Sequence, residues 1–453
     1  MMFKFKYLSS LLSVMLALVW HTAQAQSEFS LWLQDLRTEA MLAGISDETS
    51  LEAFNRIEFL PDVIEMDRSQ PEFVSPFLEY YQKRVNPQKV QMGRALLAEH
   101  AFILDKIEAD YGVPKFTLVA FWAMETQYGR SQGRFDVLSS LATLAYDGRR
   151  TDFFRAQLLD AMRMIDNGHV TADALKGSWA GAFGNMQFMP TTFMLYAVDG
   201  DNDGKVDVAN SLPDAFASAA NYLSQIGWRS DEPVMLEVQL PESFDWQQAQ
   251  LNKRKSLQEW AGLGVRALHV DTDALGFVQT DKPKVFKNKV GAKKPIKKSA
   301  DKIVRAQPAL AQTKGKTINL DRLGLKVKNP AAILLPQGYR GPAFMVFDNF
   351  DVIMDWNRSV NYALSVAQMA EQLRHESKIV GGQSAEHGAL SFNEMLDLQS
   401  ILNTLGFDAG EPDGLPGFKT QQALREYQLA NKLPADGYAS RSIYQRLYAV
   451  QYQ

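Results

Sequence analysis

One residue stands out for its chemistry. Glu125 is the single acid in Phe121-Trp-Ala-Met-Glu-Thr-Gln-Tyr-Gly129, a run otherwise apolar and aromatic. A carboxyl among large apolar neighbours is poorly solvated, so its neutral form is favoured and its pKa is expected to rise. A carboxylic acid still protonated near neutral pH is what a general acid needs.

Two further stretches carry groups that bind. Lys176-Gly-Ser-Trp-Ala-Gly-Ala-Phe-Gly-Asn-Met-Gln-Phe-Met-Pro190 interleaves small residues with aromatics. Its glycines let backbone approach another chain closely. Ser178 and Gln187 are its neutral hydrogen-bonding groups, suited to amides and hydroxyls. Asp199-Gly-Asp-Asn-Asp-Gly-Lys-Val-Asp207 places carboxylates at loop positions 1, 3, 5 and 9 with glycine at 6, the pattern of an EF-hand calcium loop. Lys205 at position 7 offers only its carbonyl, and position 12 is Asn210 rather than the usual glutamate. Asp214, at the start of the next helix, is then the carboxylate that reaches back, and the expected role of calcium is structural.

Aromatic faces and neutral hydrogen-bonding groups suit a sugar chain. Most glycosidases set two carboxylates across the scissile bond. No second carboxylate shares the apolar setting of Glu125; Asp147 and Asp152, in a polar stretch, are the best candidates. Three readings stay open from the residues alone: a hydrolase using one of those aspartates as base, a single-acid reaction that needs no activated water, and a non-catalytic binding protein.

These groups must be positioned mainly by helices. Val113-Pro114 marks a helix start ahead of Glu125, and Gly129 and Gly133 offer its stop. Phe29, Leu31, Trp32, Leu33 and Leu36 recur at helical spacing, as do Leu96, Leu97, Phe102, Ile103, Leu104 and Ile107, so 27–115 is expected to be helical. Within it Met66–Glu72 is Pro-broken, and its Asp67, Arg68, Gln70 and Glu72 would suit a strut near a site. Helices are also expected at Leu138–Leu144, Phe153–Ile165 and Asp214–Ile226. Val234–Leu240 is strand-like and Leu251–Leu263 amphipathic. Ala331–Pro336, Ala343–Phe347 and Val352–Trp356 read as short strands, and Trp356-Asn-Arg-Ser-Val-Asn-Tyr362 leads into a helix ending near Leu373. Residues 376–390 read as a mobile linker. Residues 391–453 form a small module with helices at Leu396–Leu405, Thr420–Asn431 and Ser440–Tyr448, a size that suits binding rather than catalysis.

The 453 residues, 46% apolar and 22% charged, allow two or three globular domains, and a net charge of -4 gives no footing for a nucleic-acid partner. With no cysteine there is no disulfide, thiolate metal site, Cys nucleophile or lipidated N-terminal Cys. Six scattered histidines make no zinc motif. Lys4 and Lys6, the apolar Leu8–Trp20 and the small-x-small Ala23-Gln24-Ala25 read as an export signal cleaved after Ala25. From Asp281 to Lys316 there are twelve Lys or Arg against two Asp, so 277–318 is expected to be a mobile basic insertion.

The sequence resembles the lytic murein transglycosylases of the membrane-bound B family. The resemblance runs through Ala123-Met-Glu-Thr-Gln-Tyr-Gly129, Arg149-Arg-Thr-Asp-Phe-Phe154, Gly177-Ser-Trp-Ala-Gly-Ala182, Gln187-Phe-Met-Pro190, the Asp199 loop and Trp356-Asn-Arg-Ser359. It covers about 28–375 apart from the basic insertion. Residues 391–453 resemble a three-helix peptidoglycan-binding domain through Leu398-Gln399, Leu405-Gly-Phe407, Asp413-Gly414, Thr420 and Asp436-Gly437. The resemblance implies a mainly α (α+β) fold, with a lysozyme-like catalytic domain at 26–375, a small β portion and the C-terminal module. It implies cleavage between N-acetylmuramic acid and N-acetylglucosamine without water, with Glu125 as acid and then base. It also implies that Ser178 orients the acid. Gln187, Phe188, Trp356, Asn357 and Tyr362 would contact substrate, and Asp199, Asp201, Asp203, the Lys205 carbonyl and Asp214 would hold calcium. Its partner would be peptidoglycan glycan strands, and the protein a periplasmic monomer. Three features depart from the family pattern: no lipidated Cys, the basic insertion, and Ala209 where a Trp is common.

Overall fold

The computed structural model describes residues 28–68, 75–268, 317–320, 323, 325, 330–375, 377–382, 385–386 and 388–451. The expected export signal and nearly all of the expected basic insertion lie outside these residues. The chain divides into two compact units: the first holds the described residues up to 68 and Pro87–Trp228, the second residues up to Asn86 from 75 and everything from Arg229 onward. The 26–375 stretch expected as one domain is thus shared between the units, and 229–375 groups with the C-terminal module.

The chain opens with helices α1 (28–42), α2 (Asp47–Arg56) and α3 (Pro61–Arg68). Next come α4 (Phe77–Arg84), α5 (Pro87–Glu99), α6 (Ala101–Tyr111) and α7 (Lys115–Thr126). The helical spacing seen in α1 buries Phe29, Leu36 and Ala40. Phe29 meets Trp32, Phe59 and Tyr146 at ring distances of 5.7, 5.2 and 5.2 Å. α7 has no polar face, and it lies in the core. A two-residue β1 (Phe135–Asp136) leads into α8 (Val137–Tyr146), α9 (Thr151–Asp166), β2 (Lys176–Gly177), α10 (Pro190–Tyr196) and α11 (Leu212–Gln225). Local chemistry starts these helices: Asp136 caps α8 by accepting from Ser139 N at 3.0 Å, and Ser211 caps α11 by accepting from Asp214 N at 3.3 Å.

The second unit is built on a five-stranded antiparallel sheet. Its strands are β3 (Met235–Gln239), β4 (Arg266–Leu268), β5 (Thr317–Asn319), β6 (Ala332–Leu334) and β7 (Ala343–Val346), in the order β5-β4-β3-β7-β6. Between β3 and β4 lies α12 (Leu257–Gly262), whose Trp260 is fully buried on the sheet core. Then come α13 (Asp348–Trp356) and α14 (Val360–Arg374). The C-terminal module consists of α15 (Phe392–Thr404), α16 (Phe418–Ala430) and α17 (Arg441–Gln451) around Leu398, Leu402, Leu424, Tyr427 and Leu447. Its two Asp-Gly turns are each closed by a helix glutamine. Gln399 Oε1 accepts from Gly414 N at 2.9 Å while its Nε2 donates to Asp413 Oδ1 at 2.9 Å. Gln428 repeats this with Gly437 N at 2.8 Å and Asp436 Oδ1 at 2.7 Å.

Four expectations need correction. Val352–Trp356, read as a strand, is the second half of α13; three consecutive apolar residues carry no period of their own, and the polar Asp348 and Asn349 ahead of them supply a helical first turn. The stop of α7 is Gln127, in the left-handed region at φ 52, two residues before the first expected glycine. The 376–390 segment, expected as a mobile linker, is held down at several points. Glu237 on β3 accepts from Val380 N at 3.0 Å and Gly381 N at 2.6 Å, and Glu79 accepts from Gly388 N at 2.8 Å. Gln337 donates to Glu386 O at 2.5 Å and accepts from Leu78 N at 3.0 Å. Beyond the segment, the module's Asp436 accepts from Tyr339 N at 2.8 Å. The expected insertion also ends earlier, since Thr317 and Ile318 belong to β5.

Candidate functional site

α7 supplies the acid. From Thr117 to Thr126 every residue is buried except Glu125, which is half-buried. Trp122, one turn back, packs edge-on against Tyr128 and Phe216 at ring distances of 5.4 and 5.3 Å. Glu125 is therefore the one residue of Thr117–Thr126 that is not buried.

Directly after Glu125 the backbone leaves the helix through three left-handed residues, Gln127 at φ 52, Tyr128 at φ 63 and Gly129 at φ 77. Two of them are not glycine, and such conformers cost of order 1–3 kcal/mol each unless surrounding contacts hold them. Those contacts come from the 176–188 wall. β1 pairs with β2, Phe135 opposite Gly177 and Asp136 opposite Lys176. Gln187, itself at φ 51, donates through Nε2 to Gln132 O and Gly184 O, each at 3.0 Å. Thr126 Oγ1 donates to Asn185 O at 2.8 Å. The wall folds back on itself: Ser178 Oγ accepts from Ala182 N at 3.1 Å, and Phe183 and Phe188 exchange backbone hydrogen bonds. Phe188 is 2% exposed. Thr126, Ser178, Gln187 and Phe188 thus belong to one hydrogen-bonded assembly in the first unit, and Glu125 adjoins it in the chain.

The remaining expected substrate residues sit in the second unit. Trp356 ends α13 and Asn357 follows it as the cap, its Oδ1 accepting from Ser359 N at 3.2 Å. Ser359 in turn caps α14 by accepting from Tyr362 N at 3.3 Å, and Tyr362 is buried.

The acidic loop is held in a turn by its own carboxylates. Asp199 accepts from Asn202 N at 2.6 Å and Gly204 N at 2.8 Å, and Asp203 accepts from Lys205 N at 2.8 Å. Oxygens of Asp199, Asp201 and Asp203 lie within 4.8 Å of one another. Three converging hard oxygen donors are the chemistry that fits calcium. Asp214 does reach back from α11, but its oxygens accept from Gly200 N at 2.8 Å and Asp207 N at 2.7 Å. It staples the two ends of the loop together from a buried position.

Of the two aspartates considered as hydrolytic bases, Asp147 pairs with Arg68 at 2.8 Å and Asp152 is exposed in the first turn of α9. Asp67 is a strut, as its segment suggested. It is 2% exposed and ties α3 to the start of α9 through Arg149 at 2.9 Å and through Arg150. The residue that sequence reasoning missed is Asn185. An asparagine between Gly184 and Met186 reads as an ordinary turn former, and nothing local signals its buried position.

Known proteins share this architecture. The family model described as a transglycosylase SLT domain matches residues 28–286 and 279–371, and one described as a putative peptidoglycan binding domain matches 393–447. The membrane-bound lytic murein transglycosylase B of Escherichia coli K12 is 35% identical over 159 residues, which are 35% of this chain and 44% of that protein. The chain thus spans under half the length of that curated relative. The crystal structure of SltB3 from Pseudomonas aeruginosa in complex with NAG-anhNAM-pentapeptide has a TM-score of 0.76 and 38% identity, covering 93% of this chain and 99% of that one. An Escherichia coli lytic transglycosylase in complex with calcium, at TM-score 0.55 and 24% identity over 75% of this chain and 92% of that one, is a likeness of fold. The mainly helical, lysozyme-like class expected from the sequence is the class found.

Proposed function

Because the chain belongs to the transglycosylase SLT domain family, we propose that it is a periplasmic lytic transglycosylase of peptidoglycan with Glu125 as its general acid and base. The observation that carries this is the half-buried position of Glu125 on a helix segment buried everywhere else. Protonated Glu125 gives its proton to the glycosidic oxygen as the bond from C1 of N-acetylmuramic acid to N-acetylglucosamine breaks. The Glu125 carboxylate then takes the proton of the muramic C6 hydroxyl as that oxygen attacks C1. The proton count closes on Glu125, no water is consumed, and the product ends in 1,6-anhydromuramic acid. This explains why one acid suffices.

The other residues orient. Ser178, whose Oγ accepts from Ala182 N, keeps its hydroxyl proton to donate to the acid. Gln187 spends Nε2 on two backbone carbonyls, so its Oε1 is the end that accepts from a sugar hydroxyl or amide. Phe188 contacts substrate in this reading, and Trp356, Asn357 and Tyr362 are the residues through which the second unit contacts the polymer. Asp199, Asp201, Asp203 and the Lys205 carbonyl would hold calcium, with Asp214 bracing the loop, and bound calcium would supply rigidity rather than chemistry. The 391–453 module binds the same polymer.

Replacing Glu125 with Gln keeps the shape and removes the proton. Release of soluble muropeptides from sacculi should fall by about 10²–10⁴-fold, and mass spectrometry of the wild-type products should show anhydro ends. Products one water heavier, with reducing ends, would make the enzyme a hydrolytic muramidase. Sacculus binding with no release by the wild type would make it an adaptor.

A further inference from the structure

The acid-bearing end of α7 is clamped by one side chain that the reaction above does not use. Asn185 is 3% exposed. Its Oδ1 accepts from Trp122 Nε1 at 3.0 Å, and its Nδ2 donates to Ala209 O at 2.8 Å and Val208 O at 3.4 Å. Its backbone N–H donates to Val208 O at 3.0 Å, and its carbonyl accepts from Thr126 Oγ1 at 2.8 Å. Trp122 and Thr126 flank Glu125 on the helix. Thr126 Oγ1 also accepts from Gly129 N at 2.9 Å, which carries the clamp past the acid into the left-handed turn. The fit is tight enough that a Cβ on Gly129 would lie 2.7 Å from Asn185 Oδ1.

We propose that Asn185 is a positioning residue for Glu125, fixing turn 126–129 against residues 208–209 at the exit of the acidic loop. The inference rests on Glu125 being the acid. A run of left-handed residues persists only where its surroundings over-determine it, and Asn185 supplies bonds on both sides of the carboxyl. Its chemistry is specific. An aspartate could accept from Trp122 but would face the carbonyls of Val208 and Ala209 without a donor. A leucine would leave the indole N–H and both carbonyls unpaired.

The test compares Asn185→Ala with Asn349→Ala, a control of similar burial in the other unit. Asn349 accepts from Arg229 N at 2.8 Å and donates to Arg229 O at 2.8 Å and Glu232 O at 2.6 Å. Both variants should melt earlier. Only Asn185→Ala should speed hydrogen exchange at the amides of Tyr128, Gly129 and Ser131, by about tenfold or more. It should also lower kcat by about 10- to 100-fold at nearly constant KM, the expected result of misplacing a catalytic group by about 1 Å. Unchanged exchange at 128–131, or an equal loss of kcat in Asn349→Ala, overturns the proposal. Should Asn185→Ala fail to fold, Thr126→Val removes the shared hydroxyl at constant volume, and full activity in that variant overturns it as well. A failure of the functional reading shows separately, as activity retained by Glu125→Gln, while the exchange experiment still judges the clamp.

Discussion

Replacing Gly133 with alanine should be far more damaging than the same change at Gly148, although both glycines sit at similar positive φ. Their φ angles are 98 and 89, so a side chain costs about 1–2 kcal/mol at either. They differ in space. A Cβ on Gly133 would stand 2.0 Å from Gly177 O and 2.6 Å from Ser178 N, whereas nothing lies within 4 Å of one on Gly148. Both offending atoms are backbone, so neither can rotate aside. Restoring a separation of 3.0 Å from the 2.0 Å contact requires a backbone displacement of about 1 Å. The two segments cannot part that far and keep the β1–β2 pairing, whose hydrogen bonds contribute about 1 kcal/mol each. Gly133→Ala should therefore lose about 3–5 kcal/mol, against about 1–2 kcal/mol for Gly148→Ala. Urea unfolding of the pair measures the difference. In the folded fraction of Gly133→Ala, displacement of Ser178 should also cut turnover by about 10²-fold. If the two variants unfold within about 1 kcal/mol of each other, the close packing of the 133 and 177 backbones is not what holds this wall.

Calcium removal should destabilise the first unit. At tenfold excess over Kd the ion contributes about 1.4 kcal/mol, so chelation should lower the melting temperature by about 3–6 °C, and an unchanged melt in metal-free buffer rejects the loop as a calcium site. Burial pushes the Asp136 carboxyl up, but hydrogen bonds from Ser139 and Lys176 outweigh it and hold the pKa below the usual range. A depressed folded pKa means stabilisation that is present above the unfolded pKa of about 3.9 and is lost as pH falls through and below it. Asp136→Asn keeps the cap and removes the charge, so it should flatten the acid side of the stability–pH curve; a curve parallel to wild type would refute this. Removing 391–453 should weaken cosedimentation with sacculi, and unchanged sedimentation would deny the module that role.

The parts of the site that were legible in the sequence are those whose signal is local. Glu125 declares itself as a candidate because its apolar neighbours are adjacent along the chain, and the acidic loop because its carboxylate spacing is contained in a few residues. The hidden parts are long-range. Asn185 finds Trp122 and Thr126 some sixty positions upstream, and no local pattern predicts that pairing. The Asp67–Arg149–Arg150 cluster is of the same kind; the charges are visible, but which meet is decided by how α3 packs on α8 and by where α9 begins. The assignment of 75–86 to the second unit is likewise a tertiary outcome, since α4 reads as one more helix in a helical run. Val352–Trp356 shows the opposite limit: a signal too short for its period to be measured.

The anchoring of the described residues of 376–390 bears on how the C-terminal module would enhance binding. A module on a loose tether contributes through effective concentration and tolerates changes in tether length at small entropic cost. Here Glu237, Glu79 and Gln337 pin the connecting chain, and Asp436 bonds directly to the backbone of Tyr339. The length of this connection is a machined dimension rather than a slack one. Two or three residues inserted between Gly381 and Gly388 would pull the pins out of register, and the module would change from a fixed jig for the polymer into a leash.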